Sequence, residues 1–128
     1  MSRKIEDLTW AAQTYARDFS VKMAENGVPF MFTCTYRSQE EQDALFDQGR
    51  SKPGKVVTWT RTSKHTSGRA FDIAILKQGK PIWDIKADVN QDDIPDYQQA
   101  GEIGESVGLV WGGRFKPPDY CHFQLKEG

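Results

Sequence analysis

Two histidines and two carboxylates are the residues of this chain best suited to chemistry. The chain contains only two histidines, His65 and His122; Asp72 follows the first by seven positions, and Asp119 precedes the second by three. Two imidazoles and one carboxylate form the three-ligand set of a catalytic zinc site, which leaves the fourth position for water. We therefore predict that His65, Asp72 and His122 bind Zn²⁺, and that Asp119 is the general base of a zinc hydrolase.

The spacing of these residues requires irregular backbone at two places. On a regular strand, residues seven or three positions apart face opposite sides of the sheet. His65 and Asp72 can therefore meet only if the chain turns between them, and the Ser67-Gly68 pair permits a close turn. Asp119 must lie outside a strand for the same reason, in the segment that Pro117-Pro118 keeps irregular.

Arg37 and Trp111 are further candidates for a binding cleft. Arg37 follows an apolar, strand-like run and precedes a helix cap, so its guanidinium can point into a cleft and bind a carboxylate or a developing oxyanion. An exposed charge at a strand end is the alternative interpretation. Trp111, which two glycines follow, can line a cleft, but packing in the core explains an aromatic residue equally well.

The hydrophobic pattern predicts three helices that position these residues. An apolar stripe predicts a first helix over residues 3–26, with a stop at Gly27. Ser38 and Glu41 form a capping box that opens a second helix, which ends near Gly49. A third helix is predicted from about residue 94 to 107, with Asp92 or Asp93 as its cap.

Strands are predicted in the apolar segments between the helices. Turn residues at 77–80 indicate a hairpin, and residues 50–62 read as an exposed loop with a short extended piece at Val56-Val57. The predicted strands are 29–36, 70–76, 81–83, 109–111 and 120–125. Helices and antiparallel strands in mixed order predict an α+β fold, a small antiparallel sheet with flanking helices. Residues 1–128 show no dividing linker or internal repeat and are expected to form a single domain.

Charge and hydropathy exclude two classes of partner. The formal net charge is −1 and the chain has no basic run, so binding to nucleic acid is not expected. No apolar stretch approaches the roughly 18 residues of a membrane span, so no membrane anchor is expected. The N-terminal segment lacks the apolar core of a secretory signal, which predicts synthesis in the cytoplasm.

The two cysteines, Cys34 and Cys121, are too few for a disulfide framework. Both lie in apolar, strand-like runs, which predicts buried thiols. As the neighbour of His122 on a strand, Cys121 is expected to point away from the metal and into the core. A structural zinc site made by both cysteines and both histidines is disfavoured for that reason.

An acidic segment also bears on metal binding. Asp84, Asp88, Asp92 and Asp93 supply the oxygen ligands that calcium uses. Because we find no twelve-residue EF-hand pattern there, the favoured interpretation is an exposed, solvated loop.

Several motifs resemble one family of peptidases. The run Ser63-x-His65-x-x-Gly68-x-Ala70-x-Asp72, with a later Asp119-x-x-His122, resembles the signature of the D-alanyl-D-alanine carboxypeptidase and L-alanyl-D-glutamate peptidase family. The resemblance extends from Tyr36-Arg37-Ser38 to the Trp111-Gly112-Gly113 and His122-Phe123-Gln124 pieces. Members of this family are peptidoglycan-cleaving zinc peptidases with a fold similar to lysostaphin-type enzymes and the Hedgehog signalling domain. The short length and the last two pieces look most like the phage endolysin branch, which cuts between L-alanine and D-glutamate.

The resemblance implies a role for each matched residue. It makes His65, Asp72 and His122 the zinc ligands and Asp119 the base that activates the attacking water. Arg37 resembles the family arginine that steadies the substrate carbonyl or its oxyanion. Ser63 matches a motif serine near the substrate, which either binds the substrate or braces the turn.

The resemblance also implies a partner and a place of action. A monomeric catalytic domain would cleave the peptidoglycan stem peptide, with synthesis in a host cytoplasm and action on the cell wall after release through a holin-type lesion. Two alternatives stay open. One is a D-Ala-D-Ala carboxypeptidase or dipeptidase of the same family, and the other is a non-catalytic zinc-containing module that binds the wall.

Overall fold

The structure, a computed structural model, describes residues 1–58 and 62–126. Three α-helices and five strands follow one another along this part of the chain. The helices are α1 (Trp10–Glu25), α2 (Gln39–Asp47) and α3 (Asp96–Ser106). The strands are β1 (Phe30–Cys34), β2 (Ala70–Lys77), β3 (Lys80–Ile82), β4 (Leu109–Trp111) and β5 (His122–Leu125). Short 3-10 helices lie at Ile5–Asp7, Lys64–Ser67 and Gly112–Arg114.

The strands form one antiparallel sheet with β2 near its centre. The order across the sheet is β1-β2-β5-β4, and β3 pairs with β2 as well. β5 pairs with the first half of β2, whereas β3 folds back on its last residues through a tight turn. Gln78 and Gly79 in that turn both have positive φ, as a two-residue hairpin turn requires. The predicted α+β class with a small antiparallel sheet is confirmed.

Helix α1 covers one face of the sheet but begins later than its apolar stripe predicts. Thr9 caps the helix by accepting a hydrogen bond from Ala12 N, so α1 begins at Trp10 rather than at residue 3. The stripe continues upstream because the preceding 3-10 turn also packs inward, and Leu8 is buried. On the helix itself Phe19 is fully buried, and its ring contacts those of Phe71 and Phe123 from the sheet.

Helix α3 packs so closely on the sheet that its two interior glycines are required. A Cβ at Gly101 would lie 2.1 Å from the Trp111 ring, and one at Gly104 would lie 2.4 Å from the Phe123 ring. The helix spans Asp96–Ser106, and its N-cap residue, Pro95, makes no side-chain cap bond. The predicted caps Asp92 and Asp93 are therefore wrong.

Two further features of the described residues bear on the sequence predictions. The predicted extended piece at Val56-Val57 belongs to no strand, and residues 59–61 of that loop lie outside the described residues. Within 1–58 and 62–126, no helix is long and apolar enough to cross a membrane.

Candidate metal centre

Sheet register places Asp72 beside His122. The two residues are direct partners in the antiparallel pair of β2 and β5, so their side chains leave the sheet on the same face. His122 Nδ1 lies 3.2 Å from Asp72 Oδ1. This contact follows from strand pairing and needs no special loop.

His65 reaches the same carboxylate from a turn. It lies in the 3-10 helix Lys64–Ser67, where the Ser63 hydroxyl accepts a hydrogen bond from His65 N at 3.2 Å. Gly68 ends this helix with φ of 69°, in the left-handed region that favours glycine. The turn that the spacing of His65 and Asp72 demanded is therefore present, and His65 Nε2 lies 3.2 Å from Asp72 Oδ1.

The three side chains offer converging ligand atoms. One ligand atom from each of His65, Asp72 and His122 lies within 4.8 Å of the others. Tetrahedral zinc with bonds of about 2.0–2.2 Å separates its ligand atoms by roughly 3.3–3.6 Å, which is close to the two 3.2 Å distances. His65 is 2% exposed, and neither of its ring nitrogens has a hydrogen-bond partner among the described residues. A buried imidazole in that state fits a metal ligand.

Electrostatics favours an ionised carboxylate at this point. Burial alone would raise the pKa of Asp72, but the polar contacts and charge of His122 and His65 outweigh it and hold that pKa well below its usual range. For His122 burial acts in the opposite direction and alone would lower the pKa. The contacts and charge of Asp72, with Gln124 and Asp119, outweigh burial and raise the pKa of His122 above its ordinary value. The site thus presents an anionic oxygen between two imidazoles, a donor set that zinc uses.

Gln124 is a site residue that the sequence reasoning missed. Its Oε1 lies 2.9 Å from His122 Nε2, on the side of the ring away from Asp72. A proton held at Nε2 by this amide leaves the Nδ1 lone pair directed at the centre. Strand alternation could have revealed the contact, because residues 122 and 124 share one face of β5.

Arg37 reaches the centre behind Asp72. Its Nη1 donates to Gln42 Oε1 at 2.7 Å, and its Nη2 lies 3.9 Å from Asp72 Oδ2, the oxygen that does not face the imidazoles. Its backbone N–H donates to the carbonyl of His65. The guanidinium is mostly buried and lines the cleft, so the alternative of an exposed strand-end charge is wrong.

Asp119 stands at the rim of the centre, in the turn before β5. Its carbonyl accepts from His122 N, and its own N–H donates to Gly112 O at 2.8 Å. A Cβ at Gly112 would lie 2.5 Å from Asp119 O and 2.9 Å from His122 Cβ. Only glycine permits this approach, which holds the Asp119 turn against His122. Asp119 lies outside the strand, as its spacing predicted.

The cysteines occupy two different settings. Cys34 is buried, as predicted. Cys121 is predicted correctly only in part: it is half-buried and packs against the core, but it also lines the cleft, where its Sγ donates to Asp119 Oδ1 at 3.3 Å. β5 begins only at His122, so strand alternation does not extend to residue 121. Burial, with the charges of Asp72 and Asp119, raises the pKa of the Cys121 thiol, which is unfavourable for a thiolate ligand of structural zinc.

A cleft of about 990 Å³ opens over the three ligand atoms. Arg37, Ser63 and Asp119 contribute to its lining, together with Phe115. The Ser63 hydroxyl is used in bracing the His65 turn. Trp111 is absent from the lining. It is 4% exposed and its indole N–H donates to Tyr120 O. Trp111 therefore lies in the core and not, as predicted, where a substrate could contact it.

Known proteins are similar to this chain in sequence and in fold. Residues 57–125, more than half of the chain, match the family model described as D-alanyl-D-alanine carboxypeptidase. The peptidoglycan L-alanyl-D-glutamate endopeptidase CwlK of Bacillus subtilis (strain 168) is 41% identical over 108 residues, which are 80% of this chain. The match spans 64% of the length of CwlK.

Several peptidases of known structure have a similar fold. The L-Ala D-Glu endopeptidase ChiX of Serratia marcescens superposes with a TM-score of 0.73 at 21% identity, over 95% of this chain and 83% of that one. A mutant of the vancomycin-resistance D,D-pentapeptidase VanY, in complex with Zn(II), gives 0.63 at 16% identity, over 92% and 72%. On the match of residues 57–125, the chain belongs to the D-alanyl-D-alanine carboxypeptidase family.

Proposed function

We propose that this chain is a zinc-dependent peptidoglycan endopeptidase that hydrolyses the L-alanyl-D-glutamate bond of the stem peptide. His65, Asp72 and His122 would hold the zinc ion. Residues 1–128 would act as one monomeric catalytic domain. The observation that carries the proposal is the convergence of two imidazole nitrogens on one Asp72 oxygen, each at 3.2 Å, at the base of an open cleft.

Each residue around the cleft has a distinct task in this proposal. A zinc ion bound there would supply Lewis-acid chemistry, polarising the scissile carbonyl and making a water molecule acidic near neutral pH. Asp119, at the rim, accepts the proton of the attacking water and delivers it to the leaving amine. Arg37 places its positive charge beside the developing oxyanion, and Gln42 holds the guanidinium in that position.

The first test separates the residue proposed for proton transfer from a residue proposed for metal binding. Replacement of Asp119 by alanine should lower hydrolysis by about 10²–10⁴-fold, because a general base contributes that much, while zinc binding stays unchanged. His122→Ala should lose both zinc and hydrolysis. Zinc content by metal analysis and turnover of purified peptidoglycan measure the two effects. Full activity in Asp119→Ala would remove Asp119 from its role.

The bond that is cleaved needs a separate experiment. The 41% identity to CwlK supports L-alanyl-D-glutamate as the bond. The second candidate, a D-Ala-D-Ala carboxypeptidase or dipeptidase, is favoured by the match to the family model that carries that description. Mass analysis of digested peptidoglycan separates them. Glycan that retains L-alanine indicates the endopeptidase, and free D-alanine or its dipeptide indicates the alternative.

A non-catalytic zinc module that binds the wall is a different class of function. The carboxylate of Asp119 and the arginine beside the centre argue against it, because binding alone needs neither. Wall lysis that a chelator abolishes and zinc restores would exclude this class.

We further propose that the chain acts as a phage endolysin on the cell wall. The resemblance of the Trp111-Gly112-Gly113 and His122-Phe123-Gln124 pieces to that branch supports this role. Synthesis in a host cytoplasm, with and without a co-expressed holin, tests it by the turbidity of the culture. Lysis that depends on the holin agrees with the proposal, and lysis without the holin contradicts release by that route.

A further inference from the structure

A second group of metal-type ligands lies in the loop before α3, far along the chain from the zinc ligands. Asp88, Asn90 and Asp92 stand at alternate positions, as do positions 1, 3 and 5 of an EF-hand calcium loop. Counted from Asp88, Asp96 is position 9 and Gln99 is position 12. The segment therefore matches much of the twelve-residue EF-hand pattern, which was not predicted from the sequence, and departs from the usual residues at two positions.

The departures fall at positions 6 and 12. Position 6 is normally glycine because the loop turns sharply there; here it is Asp93, which still adopts a φ of 69°. Position 12 is normally a glutamate that binds with both oxygens; here it is Gln99, which offers a single neutral oxygen.

Unpartnered buried oxygens point to a cation at this loop. Among the described residues, five buried side-chain nitrogen or oxygen atoms lack a hydrogen-bond partner. Two belong to the proposed zinc ligand His65, and the other three are Asn90 Oδ1, Asp96 Oδ1 and Gln99 Oε1. Asp96 is fully buried and Gln99 is 8% exposed. A buried oxygen left without a partner destabilises the folded chain, unless an ion or a water molecule binds it.

The surroundings of these oxygens are anionic. Burial raises the pKa of Asp96, and the negative charges of Asp88 and Asp92 raise it further. Within the described residues, no lysine or arginine forms an ion pair with any of the three. The orientation of the Asn90 amide is fixed, because its Nδ2 donates to Asn26 O and to Asp92 Oδ2. Its free atom is therefore the oxygen.

We propose that the segment from Asp88 to Gln99 binds a calcium ion, at a site separate from the proposed zinc centre. Its side-chain ligands are Asp88, Asn90, Asp92, Asp96 and Gln99. Carboxylate and amide oxygens in this number suit Ca²⁺, whereas Mg²⁺ requires stricter octahedral geometry and retains its waters. With a neutral residue at position 12, we expect a dissociation constant on the order of 10⁻⁴–10⁻³ M, the range of extracellular modules.

The position of this loop defines what calcium would do. Asp96 opens α3, the helix that packs on Trp111 and Phe123 of the sheet. Asn90 joins the loop to Asn26 at the end of α1. An ion there would tie the end of α1 to the start of α3, so calcium stabilises the fold and leaves the chemistry of the cleft unchanged.

The test is a titration of the zinc-loaded full chain with CaCl₂, followed by calorimetry and by thermal unfolding. About 10 mM CaCl₂ should raise the melting temperature by several degrees, because an ion that binds only the folded state stabilises it. The same concentration of MgCl₂ should have a smaller effect. The absence of both binding heat and a melting shift with CaCl₂ would overturn the proposal, whatever the peptidase assay shows.

Three variants sharpen the test. Gln99→Glu restores the usual ligand at position 12 and should bind calcium at least tenfold more tightly. Asp92→Asn should bind at least tenfold more weakly. Asp84→Asn removes a nearby carboxylate outside the twelve residues and should leave the affinity unchanged. An equal loss in the Asp84 and Asp92 variants, or no gain in Gln99→Glu, would mean that the acidic surface merely attracts cations.

Discussion

His122 and His65 approach the same carboxylate oxygen from two differently built regions. On the sheet side, Asp72 and His122 are paired by strand register, and Gln124 holds the second nitrogen of the His122 ring. On the turn side, His65 depends on a four-residue 3-10 helix, and its second ring nitrogen has no partner among the described residues. Long-range strand pairing therefore fixes one imidazole, while local backbone conformation and burial fix the other.

The largest loss of zinc affinity should follow from a change at Asp72, because both regions contact its Oδ1 atom. Asp72→Asn removes the negative charge that faces both imidazoles, and we expect zinc affinity to fall by more than about 100-fold. Competition with a chromogenic chelator measures this affinity. Asp84→Asn, outside the centre, should bind zinc as the unchanged chain does. An Asp72→Asn protein with zinc affinity within a few-fold of normal would contradict the shared-oxygen geometry.

On the sheet side, zinc affinity should depend on Gln124, the group that orients the His122 imidazole. Gln124→Leu removes the acceptor from His122 Nε2, and loss of such an orienting partner lowers metal affinity by about 10–100-fold. Gln124→Glu retains an acceptor oxygen and should preserve most of the affinity. Gln98→Leu, on the exposed face of α3, is a control for the substitution itself. Nitrogen chemical shifts of the metal-free His122 ring report its tautomer, which should change only in Gln124→Leu.

The turn side should be sensitive to backbone conformation. Alanine at Gly68 is strained by about 1–2 kcal/mol, and its Cβ would also press on Asp7 O and Thr9 N at 3.3 Å. Gly79 has a similar φ, but a Cβ there would meet nothing within 4 Å. We expect both variants to lose stability to urea, with the larger loss and a several-fold weaker zinc affinity only in Gly68→Ala. Equal zinc affinity in both would show that the turn does not position His65.

The smallest loss of zinc affinity should follow from removal of the Ser63 hydroxyl, which caps the turn that carries His65. Ser63→Ala removes the acceptor of His65 N and should cost about 0.5–1 kcal/mol of the free energy of unfolding. Thr9→Ala removes the comparable cap of α1 and should cost about the same. Only Ser63→Ala should also weaken zinc binding, by a few-fold. A larger fall in catalytic rate than in zinc affinity would instead assign Ser63 to the substrate.

Spacing and strand alternation predicted much of the centre. They identified the residues that converge, required the turn before Gly68, and placed Asp119 outside β5. These rules work because they describe backbone directions that hold wherever a strand is regular. Cys121 shows their limit: β5 starts at His122, two residues later than predicted, and the half-buried thiol donates to Asp119 as well as packing against the core.

Other features depend on contacts that no local pattern reveals. Trp111 is in the core because Gly101 lets α3 approach its ring. Helix α1 starts late because Thr9 caps it, and the apolar stripe continues across that cap without interruption. The segment from Asp88 to Gln99 departs from the usual calcium pattern at residues 93 and 99, and its unpaired buried oxygens are visible only in the structure.

The contact at Gly112 has a consequence for attempts to alter specificity. Since the backbone there touches both the Asp119 turn and the Cβ of His122, the spacing between Asp119 and His122 is set by main-chain atoms. Changes to this segment would disturb the chemistry before they altered substrate choice. The same holds for Phe115 in the cleft lining, because its ring lies 5.8 Å from the ring of His122.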